Sequence, residues 1–309
     1  MSYRYHTADI FTDRMFGGNQ LAVFPDAAGL TDEQMLEITR EFNFSETVFV
    51  LAPDAREHTR RIRIFTPGRE LPFAGHPTVG TAFVLAATGE IPFAGGSERI
   101  VLEEIVGPIT VLIRGAAGKP VFTQLTAARL PESGESPLAA KDLARLLGLE
   151  GAEVLDGMLR PEISSCGTPF LCVPLRSPDA LARARVQSNV WDEISRSTAI
   201  PELYLVTQDS WARDSGAPVS AGIVRARMFA PGLGIAEDPA TGSAAAALGG
   251  YLTTRADSGD SSLHWTIYQG VEMGRPSKIE LEVDRHAGKV SAVHVGGESV
   301  LVSSGTFHL

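Results

Sequence analysis

Two stretches of the chain decide the fold because they match each other: FTPGRELPFAGHPTVGTAF at residues 65–83 and FAPGLGIAEDPATGSAA at residues 229–245. With a two-residue gap, six positions are identical: Phe65, Pro67, Gly68, Pro77, Gly80 and Ala82 match Phe229, Pro231, Gly232, Pro239, Gly242 and Ala244. A strand-like run precedes each stretch, and an apolar run of helical length follows it. The repeat of letters and of local pattern predicts a duplicated domain.

The boundary between the two copies is expected near ARLPESGESP, residues 128–137, a polar segment with two prolines that is typical of a linker. This position predicts an N-terminal domain over 1–128 and a C-terminal domain over 129–309, with the last residues able to return to the first domain. Runs that alternate with period two, such as RIVLEEIVGPITVLIRG, are interspersed with helical segments. The pattern favours the α+β class.

Composition excludes several classes of function. The 309 residues have a net charge of −10 and an isoelectric point near 5.2, which argues against a broad basic surface for nucleic acid or an anionic membrane. A membrane-spanning helix needs about 20 consecutive apolar residues, and every apolar run in the sequence is much shorter. The N-terminal residues do not resemble a secretion signal. We expect a cytoplasmic protein that binds neither nucleic acid nor membrane.

The two cysteines are expected to be free. Cys166 and Cys172 lie in SCGTPFLCV, which we interpret as one strand, so that the two thiols would be about 20 Å apart at about 3.3 Å per residue. No CxxC or HExxH spacing occurs in the chain, and the sequence therefore predicts no metal site.

His76 and Asp238 occupy matching positions in the two copies, and each directly precedes a proline. Because proline is favoured at the first position of a helix, we predict that both residues are helix caps. Aspartate is a good cap, whereas histidine is not. The positive end of a helix dipole would keep His76 neutral and able to exchange a proton.

Helix N-termini rich in small residues bind anions through backbone N–H groups that have no partner within the helix. The sequence predicts such ends near Gly75 and Gly242, where the absence of a side chain allows a ligand to approach the backbone. With the Ser243 hydroxyl, they would hold a substrate carboxylate.

These motifs resemble those of the phenazine biosynthesis PhzF-like family, which has the diaminopimelate epimerase fold. The matching segments span nearly the whole chain, in the family's order: GGNQLAVF (17–24), NFSETVFV (43–50), FTPGRELPFAGHPTVG (65–80), EDPATGSAAAALGGYL (237–252) and QGVEMGRPSKIELEV (269–283). The resemblance implies two pseudo-symmetric domains, each a curved, mostly antiparallel sheet wrapped around a central helix, with the active site between them. It also implies a homodimer with no metal or organic cofactor.

The resemblance assigns Glu46 of the FSET segment as the proton shuttle, with His76, Asp238 and Ser243 around the reacting atoms. Glu46 lies in an apolar segment, FNFSETVFV, where burial is expected to raise the pKa of the carboxyl and so suit it to proton transfer near neutral pH. Asn19 is expected to line the substrate pocket. Its neighbour Gln20 stands where many relatives have proline.

The sequence therefore predicts a cofactor-independent isomerase that moves a proton between carbons of a small carboxylate-bearing substrate, similar to trans-2,3-dihydro-3-hydroxyanthranilate isomerase. Related epimerases use a cysteine in each domain, at positions where this chain has none. A racemase without the thiol pair and a non-catalytic binding protein on the same fold remain alternatives. A serine hydrolase built on Ser243 is disfavoured, because the chain has no GxSxG segment.

Overall fold

Two helices that lack a polar face form the centres of the fold. Helix α2 (Gly75–Ala87) buries every residue from Gly75 to Ala86, and helix α6 (Gly242–Thr253) buries all of its residues except Ser243 and Thr253. A helix that is apolar on all sides must be enclosed by other elements. The structure, a computed structural model, describes residues 1–213, 219–257, 259 and 261–309.

The described residues divide into two units by their contacts. Unit 1 comprises Met1–Ala128, Arg275–Ile279 and His294–Leu309, and unit 2 comprises Arg129–Gly274 and Glu280–Val293. The chain thus returns to unit 1 twice after residue 274. Strands β16 (Ser277–His286) and β17 (Lys289–His308) each contribute residues to both units.

Unit 1 contains eight strands of its own and two helices among the described residues. In chain order they are β1 (Ser2–Ile10), β2 (Asn19–Phe24), α1 (Asp32–Phe42), β3 (Glu46–Leu51), β4 (Arg60–Phe65), β5 (Glu70–Leu71), α2, β6 (Gly96–Glu104), β7 (Gly107–Ala116) and β8 (Lys119–Thr126). Thr31 is the N-cap of α1 and forms a capping box with Gln34. The Thr31 hydroxyl accepts a hydrogen bond from the Gln34 backbone N–H, and the Gln34 side chain accepts one from the Thr31 backbone N–H.

The strands of unit 1 pair in an order that returns to its starting point. β1 is antiparallel to β2, β2 parallel to β3, β3 antiparallel to β4, and β4 parallel to β6. The order continues through antiparallel β6, β7 and β8 to β17, which pairs with both β8 and β1. Helix α2 contacts β1, β2, β3, β7 and β8. The mostly antiparallel sheet of this unit therefore encloses its central helix.

Unit 2 contains seven strands of its own and four helices among the described residues. They are β9 (Glu132–Glu135), α3 (Ala140–Leu147), β10 (Glu162–Ser165), β11 (Pro169–Pro174), α4 (Pro178–Arg183), α5 (Ser188–Ser195), β12 (Glu202–Thr207), β13 (Gly222–Ala230), β14 (Ile235–Asp238), α6 and β15 (Leu263–Gln269). Short 3₁₀ turns occur at Gly151–Glu153, Asp209–Arg213 and Pro231–Leu233.

The pairing of strands in unit 2 repeats that of unit 1. β10 is antiparallel to β11, β11 parallel to β12, and β12 antiparallel to β13. β13 is then antiparallel to the short β14 and parallel to β15. This is the order found for β1 to β6, and in each unit the central helix follows the short strand. The α+β class is confirmed, with six α-helices and much strand among the described residues.

The outer faces of the two sheets carry different helices. In unit 1 an aromatic and aliphatic cluster joins α1 to the sheet, with Phe24, Met35, Ile38 and Phe49 almost fully buried. In unit 2 a larger cluster joins α3, α4 and α5 to β11 and β12. None of the helices in the described part of the chain is both long enough and apolar enough to cross a membrane.

Two local predictions are wrong. SCGTPFLCV is not one strand, because Gly167 has a φ of +116° and turns the chain between antiparallel β10 and β11; Cys166 lies in the turn and Cys172 in β11. The linker assigned to residues 128–137 contains strand β9, which pairs with β10. Both cysteines are free, as predicted.

Glycine allows close packing along the central helices. A Cβ atom on Gly80 of α2 would lie 2.6 Å from Leu21 Cδ2, and one on Gly250 of α6 would lie 2.3 Å from the Cβ of Pro131. The Leu21 side chain can rotate, whereas the proline ring cannot move without its backbone. Gly250 is therefore the stricter requirement.

We predict that Gly250→Ala lowers the free energy of unfolding. Overpacking costs about 1–3 kcal/mol, which outweighs the gain of up to about 1 kcal/mol in helix propensity. Urea unfolding followed by circular dichroism measures the difference. Gly157→Ala is the matched control, because a Cβ at Gly157 meets nothing within 4 Å. Equal or greater stability of the Gly250 variant would contradict the packing argument.

Candidate active site

Glu46 and His76 come together within unit 1. Glu46 is the first residue of β3, and His76 lies in the first turn of α2. The Oε2 atom of Glu46 is 3.5 Å from Nε2 of His76, and the two side chains are 13% and 5% exposed. At this distance the contact is longer than an ordinary hydrogen bond, so a small movement of either side chain would complete it. A buried carboxyl beside a buried imidazole is an arrangement suited to proton transfer.

The other ring nitrogen of His76 faces Asn19. Nδ1 of His76 lies 3.3 Å from Nδ2 of Asn19, which is 1% exposed. The structure therefore brings together three of the predicted site residues, Asn19, Glu46 and His76. Parallel pairing of β2 with β3, with Leu21 opposite Glu46, sets the separation of Asn19 from Glu46.

His76 is held neutral by burial. Loss of hydration lowers the pKa of its imidazole to about 3, although a hydrogen bond with the backbone of Gln20 favours the charged form. The prediction of a neutral imidazole thus agrees with the structure, but its cause is burial. A neutral ring has one donor and one acceptor nitrogen, so Nε2 of His76 can either donate a hydrogen bond to the Glu46 carboxylate or accept one from its acid form.

His76 is not a helix cap, and this prediction is wrong. Helix α2 begins one residue earlier, at Gly75, and its N-cap is Ala74, which provides no side-chain hydrogen bond. Pro77 is accommodated at the third helical position because the first N–H groups of a helix have no partner within it. Gly75 is therefore the first residue of a helix whose N-terminus has no side-chain cap.

An arginine from late in the chain fixes the loop that precedes Asn19. Arg275 donates from Nε to the Gly18 carbonyl at 2.9 Å and from Nη2 to the Gly17 carbonyl and Asp9 Oδ1, both at 2.6 Å. Gly18 has a φ of +61°, and a Cβ there would lie 2.2 Å from the Ile10 carbonyl oxygen. Only glycine fits this turn. The orientation of Asn19 thus depends on a contact with a residue more than 250 positions away.

Asp238 lies at the start of the corresponding helix of unit 2. It is the last residue of β14, is 5% exposed, and pairs with Met228. Its Oδ2 accepts a 2.5 Å hydrogen bond from the hydroxyl of Thr241. Thr241, and not Asp238, is the N-cap residue of α6. The prediction of an Asp238 cap is therefore wrong, because strand pairing keeps this residue extended.

Gln269 organises the turn between β14 and α6. Its Nε2 donates to the Asp238 carbonyl at 2.8 Å and to Thr241 Oγ1 at 3.0 Å. Its Oε1 accepts from the Thr241 N–H at 3.3 Å and from the Tyr204 hydroxyl at 3.2 Å. The side chain is fully buried, and all four of its hydrogen-bonding positions are used. This network leaves the Thr241 proton free to point at Asp238.

A buried ion pair holds β14 from its other side. Arg227, which is 1% exposed, donates from Nε and Nη2 to the two carboxylate oxygens of Glu237, each at 2.8 Å. Its Nη1 also donates to the Leu181 and Ala184 carbonyls at the end of α4. Bidentate pairing restricts Glu237 to one geometry, so the position of its neighbour Asp238 is restricted as well.

Gly242 and Ser243 are the first two residues of α6. The helix has no side-chain cap, because the Thr241 hydroxyl is bonded to Asp238. Gly242 is buried and Ser243 is half-buried. Asp238, Gly242 and Ser243 are thus close in the chain around one helix start, as predicted. Within residues 1–213, 219–257, 259 and 261–309, no three His, Cys, Asp or Glu side chains are placed to hold a metal ion.

The sequence motifs located the predicted residues but missed those that hold them. Gln269 and Arg275 lie in QGVEMGRPSKIELEV. This segment resembles the family's sequence, but the resemblance assigns no role to its residues. Thr241 lies between Asp238 and Ser243 in the DPATGS segment. A polar residue inside a recognised motif was the available signal for all three.

We predict that the ring of His76 stays neutral far below the usual pKa of about 6.5. Because the folded-state pKa is lowered to about 3, the unfolded chain binds more protons at acid pH. The contribution of this group to stability is complete above about pH 6.5 and decreases as the pH falls toward 3. NMR titration of ¹³Cε1-labelled histidine measures the ring directly, and His76→Gln assigns its signal. Titration of His76 near pH 6.5 would contradict the prediction.

Known proteins match this chain along nearly its whole length. The family model for phenazine biosynthesis-like protein matches residues 8–305. A protein of Mesorhizobium japonicum described as an uncharacterized isomerase is 38% identical over 304 residues, covering 97% of each chain. Trans-2,3-dihydro-3-hydroxyanthranilate isomerase of Pseudomonas aeruginosa is 33% identical over 307 residues, covering 99% of this chain and all of that protein.

A crystal structure of the Bacillus anthracis phenazine biosynthesis protein of the PhzF family has the same fold. It matches with a TM-score of 0.84 and 24% identity, covering all of both chains. The matched family model and the full-length relatives lead to one conclusion: the chain belongs to the phenazine biosynthesis PhzF-like family.

Proposed function

We propose that this protein is an isomerase that moves a proton between carbons of a small carboxylate-bearing substrate. The observation that supports it is the buried pair in unit 1, in which Glu46 Oε2 lies 3.5 Å from Nε2 of a neutral His76. Full-length relatives named as isomerases support the reaction class, including the dihydrohydroxyanthranilate isomerase of Pseudomonas aeruginosa. The substrate of this chain belongs to the same chemical class.

Glu46 removes the proton from carbon and returns it to another carbon of the conjugated system. The proton passes from the substrate carbon to the Glu46 carboxylate and from there to the second carbon, while the neutral His76 orients the carboxyl through Nε2. Because the imidazole is uncharged, it does not lower the basicity of Glu46 as a cation would. One base serves both steps if the two carbons present the same face to it.

Asp238 and Ser243 are the contribution of unit 2 in this proposal. Asp238 relays protons, and its carboxylate is kept in place by Thr241. In unit 2 the Ser243 hydroxyl and the N–H groups near Gly242, and in unit 1 the N–H groups near Gly75, are the groups suited to bind a substrate carboxylate and to stabilise enolate-like charge. Asn19 sets the orientation of His76. The uncapped starts of α2 and α6 support this assignment.

The family resemblance extends the proposal to the state of the enzyme. We propose a homodimer in the cytoplasm that needs no metal or organic cofactor. Sedimentation of the purified protein tests the dimer, and activity that survives exhaustive chelation tests the absence of a metal.

Glu46→Gln is predicted to abolish turnover, because the amide cannot accept the carbon-bound proton. The loss expected for a general acid–base group is about 10² to 10⁴-fold in kcat. The assay follows conversion of trans-2,3-dihydro-3-hydroxyanthranilate, the substrate in the name of the relative, and of related cyclic carboxylates. Glu37→Gln is the control, since Glu37 is exposed on α1. Near-wild-type turnover by a folded Glu46 variant would refute the assignment.

In deuterium oxide, the reaction is predicted to show a solvent isotope effect or deuterium at the carbon that gains the proton. Either result follows if Glu46 exchanges its proton with water between the two steps. Mass spectrometry of the product measures the label. A product without label, formed at an unchanged rate, would be incompatible with a proton shuttle that is open to solvent.

A further inference from the structure

A buried carboxyl other than Glu46 contacts the first turn of α2. Glu104, the last residue of β6, is 9% exposed, and its Oε1 is 2.6 Å from the Thr78 hydroxyl oxygen. Its Oε2 is buried and has no hydrogen-bond partner among the described residues. Thr78 follows His76 by two residues, so Glu104 contacts the same helical turn as the candidate base pair.

The hydroxyl of Thr78 makes two short contacts but has only one proton. Its Oγ1 lies 2.7 Å from the carbonyl oxygen of Ala74, the N-cap residue, as well as 2.6 Å from Glu104 Oε1. A carbonyl cannot donate. Both contacts are hydrogen bonds only if Thr78 donates to Ala74 and Glu104, in its acid form, donates to Thr78. Both contacts are therefore satisfied together when Glu104 is protonated.

The surroundings of Glu104 agree with the acid form. Burial raises the pKa of its carboxyl to about 8; a hydrogen bond donated by Thr78 to the ionised carboxylate opposes this, but by less. The groove beside it is lined by charged or titratable residues from the neighbouring elements: Asp54, His58, Arg61, Arg63, Glu70 and Glu103.

These neighbours have partners of their own. His58 pairs with Glu103, Arg61 with Asp54, and Arg63 with Glu70. On α2 the titratable residue is His76, which is neutral. The cations of the groove are therefore already engaged with other carboxylates, and Glu104 remains an acid because it is buried away from water.

We propose that Glu104 is a positioning residue, whose acid form holds the first turn of α2 through Thr78 and keeps His76 facing Glu46. The role in turnover rests on the proposed function. An ionised Glu104 can only accept hydrogen bonds. The Thr78 hydroxyl then donates to Glu104, and the Ala74 carbonyl loses the hydrogen bond that it accepted from Thr78. An ionised carboxylate is then buried against the turn that contains His76. The rate should therefore fall at alkaline pH, although Glu104 contacts no substrate.

The stability of the fold should follow the same ionisation. Folding raises the pKa of the Glu104 carboxyl from its ordinary value of 4.5 to about 8, so the folded chain binds more protons than the unfolded chain between these values. This contribution is complete below about pH 4.5 and is lost as the pH rises through about 8.

Glu104→Gln tests the proposal, because the amide donates to Thr78 at every pH and does not titrate. We expect kcat/KM of the wild type to fall above about pH 8 and that of the variant to stay level, with similar values at pH 7. Glu98→Gln on the same strand is the control and should retain the fall. A fall of equal size in the Glu104 variant would overturn the proposal.

Thr78 provides a second pair of variants. Thr78→Ser keeps the hydroxyl and should preserve kcat. Thr78→Val removes it and should lower kcat by about tenfold, with KM less affected because the binding groups are unchanged. Equal kcat in the two variants would contradict the positioning role. A loss that appeared only in KM would contradict it as well.

A measurement without substrate separates this proposal from the proposed function. The ¹³Cε1 signal of His76 should shift between pH 7 and 9 in the wild type, with the midpoint of Glu104, although the ring itself does not titrate there. The shift should be absent in Glu104→Gln and present in Glu98→Gln. If no substrate is turned over but the shift follows Glu104, the proposed function fails and the positioning role stands. A His76 signal that is constant across this range in the wild type would overturn the positioning role.

Discussion

The constraint on which the rest of the structure depends is the burial of two helices that have no polar side. Neither α2 nor α6 can face water, so strands must surround each of them, and the ends of the helices are buried with the middle. His76 is neutral for this reason, and Glu104 is an acid for the same reason. The electrostatics of the candidate site thus follow from enclosure of apolar surface and not from a specific pattern of charges.

Much of this could be predicted from the sequence, because the signals were local. Period-two alternation located most strands, and an unbroken apolar run located α2. The failures concern features set by distant partners. Helix starts at Gly75 and Gly242 differ from the cap positions inferred from Pro77 and Pro239, since the extended backbone at Asp238 is fixed by pairing with Met228 and by Gln269. A polar strand such as β9 has no alternation to reveal it.

The residues of the candidate site also fall into those that the sequence could predict and those that it could not. Glu46, His76, Asp238 and Ser243 could be proposed from the motifs that contain them. The residues that hold them in place could not, because Arg275, Gln269 and Glu104 act through contacts that span from 26 to 257 positions of sequence. Glu104 follows Glu103 at the end of an alternating strand, where a pair of acids suggests a solvated edge. Only the contact of Glu104 with Thr78 of α2 shows that one of the two faces inward.

The absence of side-chain caps at the starts of α2 and α6 implies a conflict between thermal stability and the proposed catalysis. Ala74 precedes α2 without a side-chain cap, and the Thr241 hydroxyl is turned away from α6. A serine or aspartate cap in place of alanine is worth about 1 kcal/mol to a typical helix. Such a side chain would occupy the N–H groups that the proposed substrate carboxylate needs. An engineer who selects this protein for heat resistance alone would therefore be led to the substitution at position 74 that closes the proposed anion site.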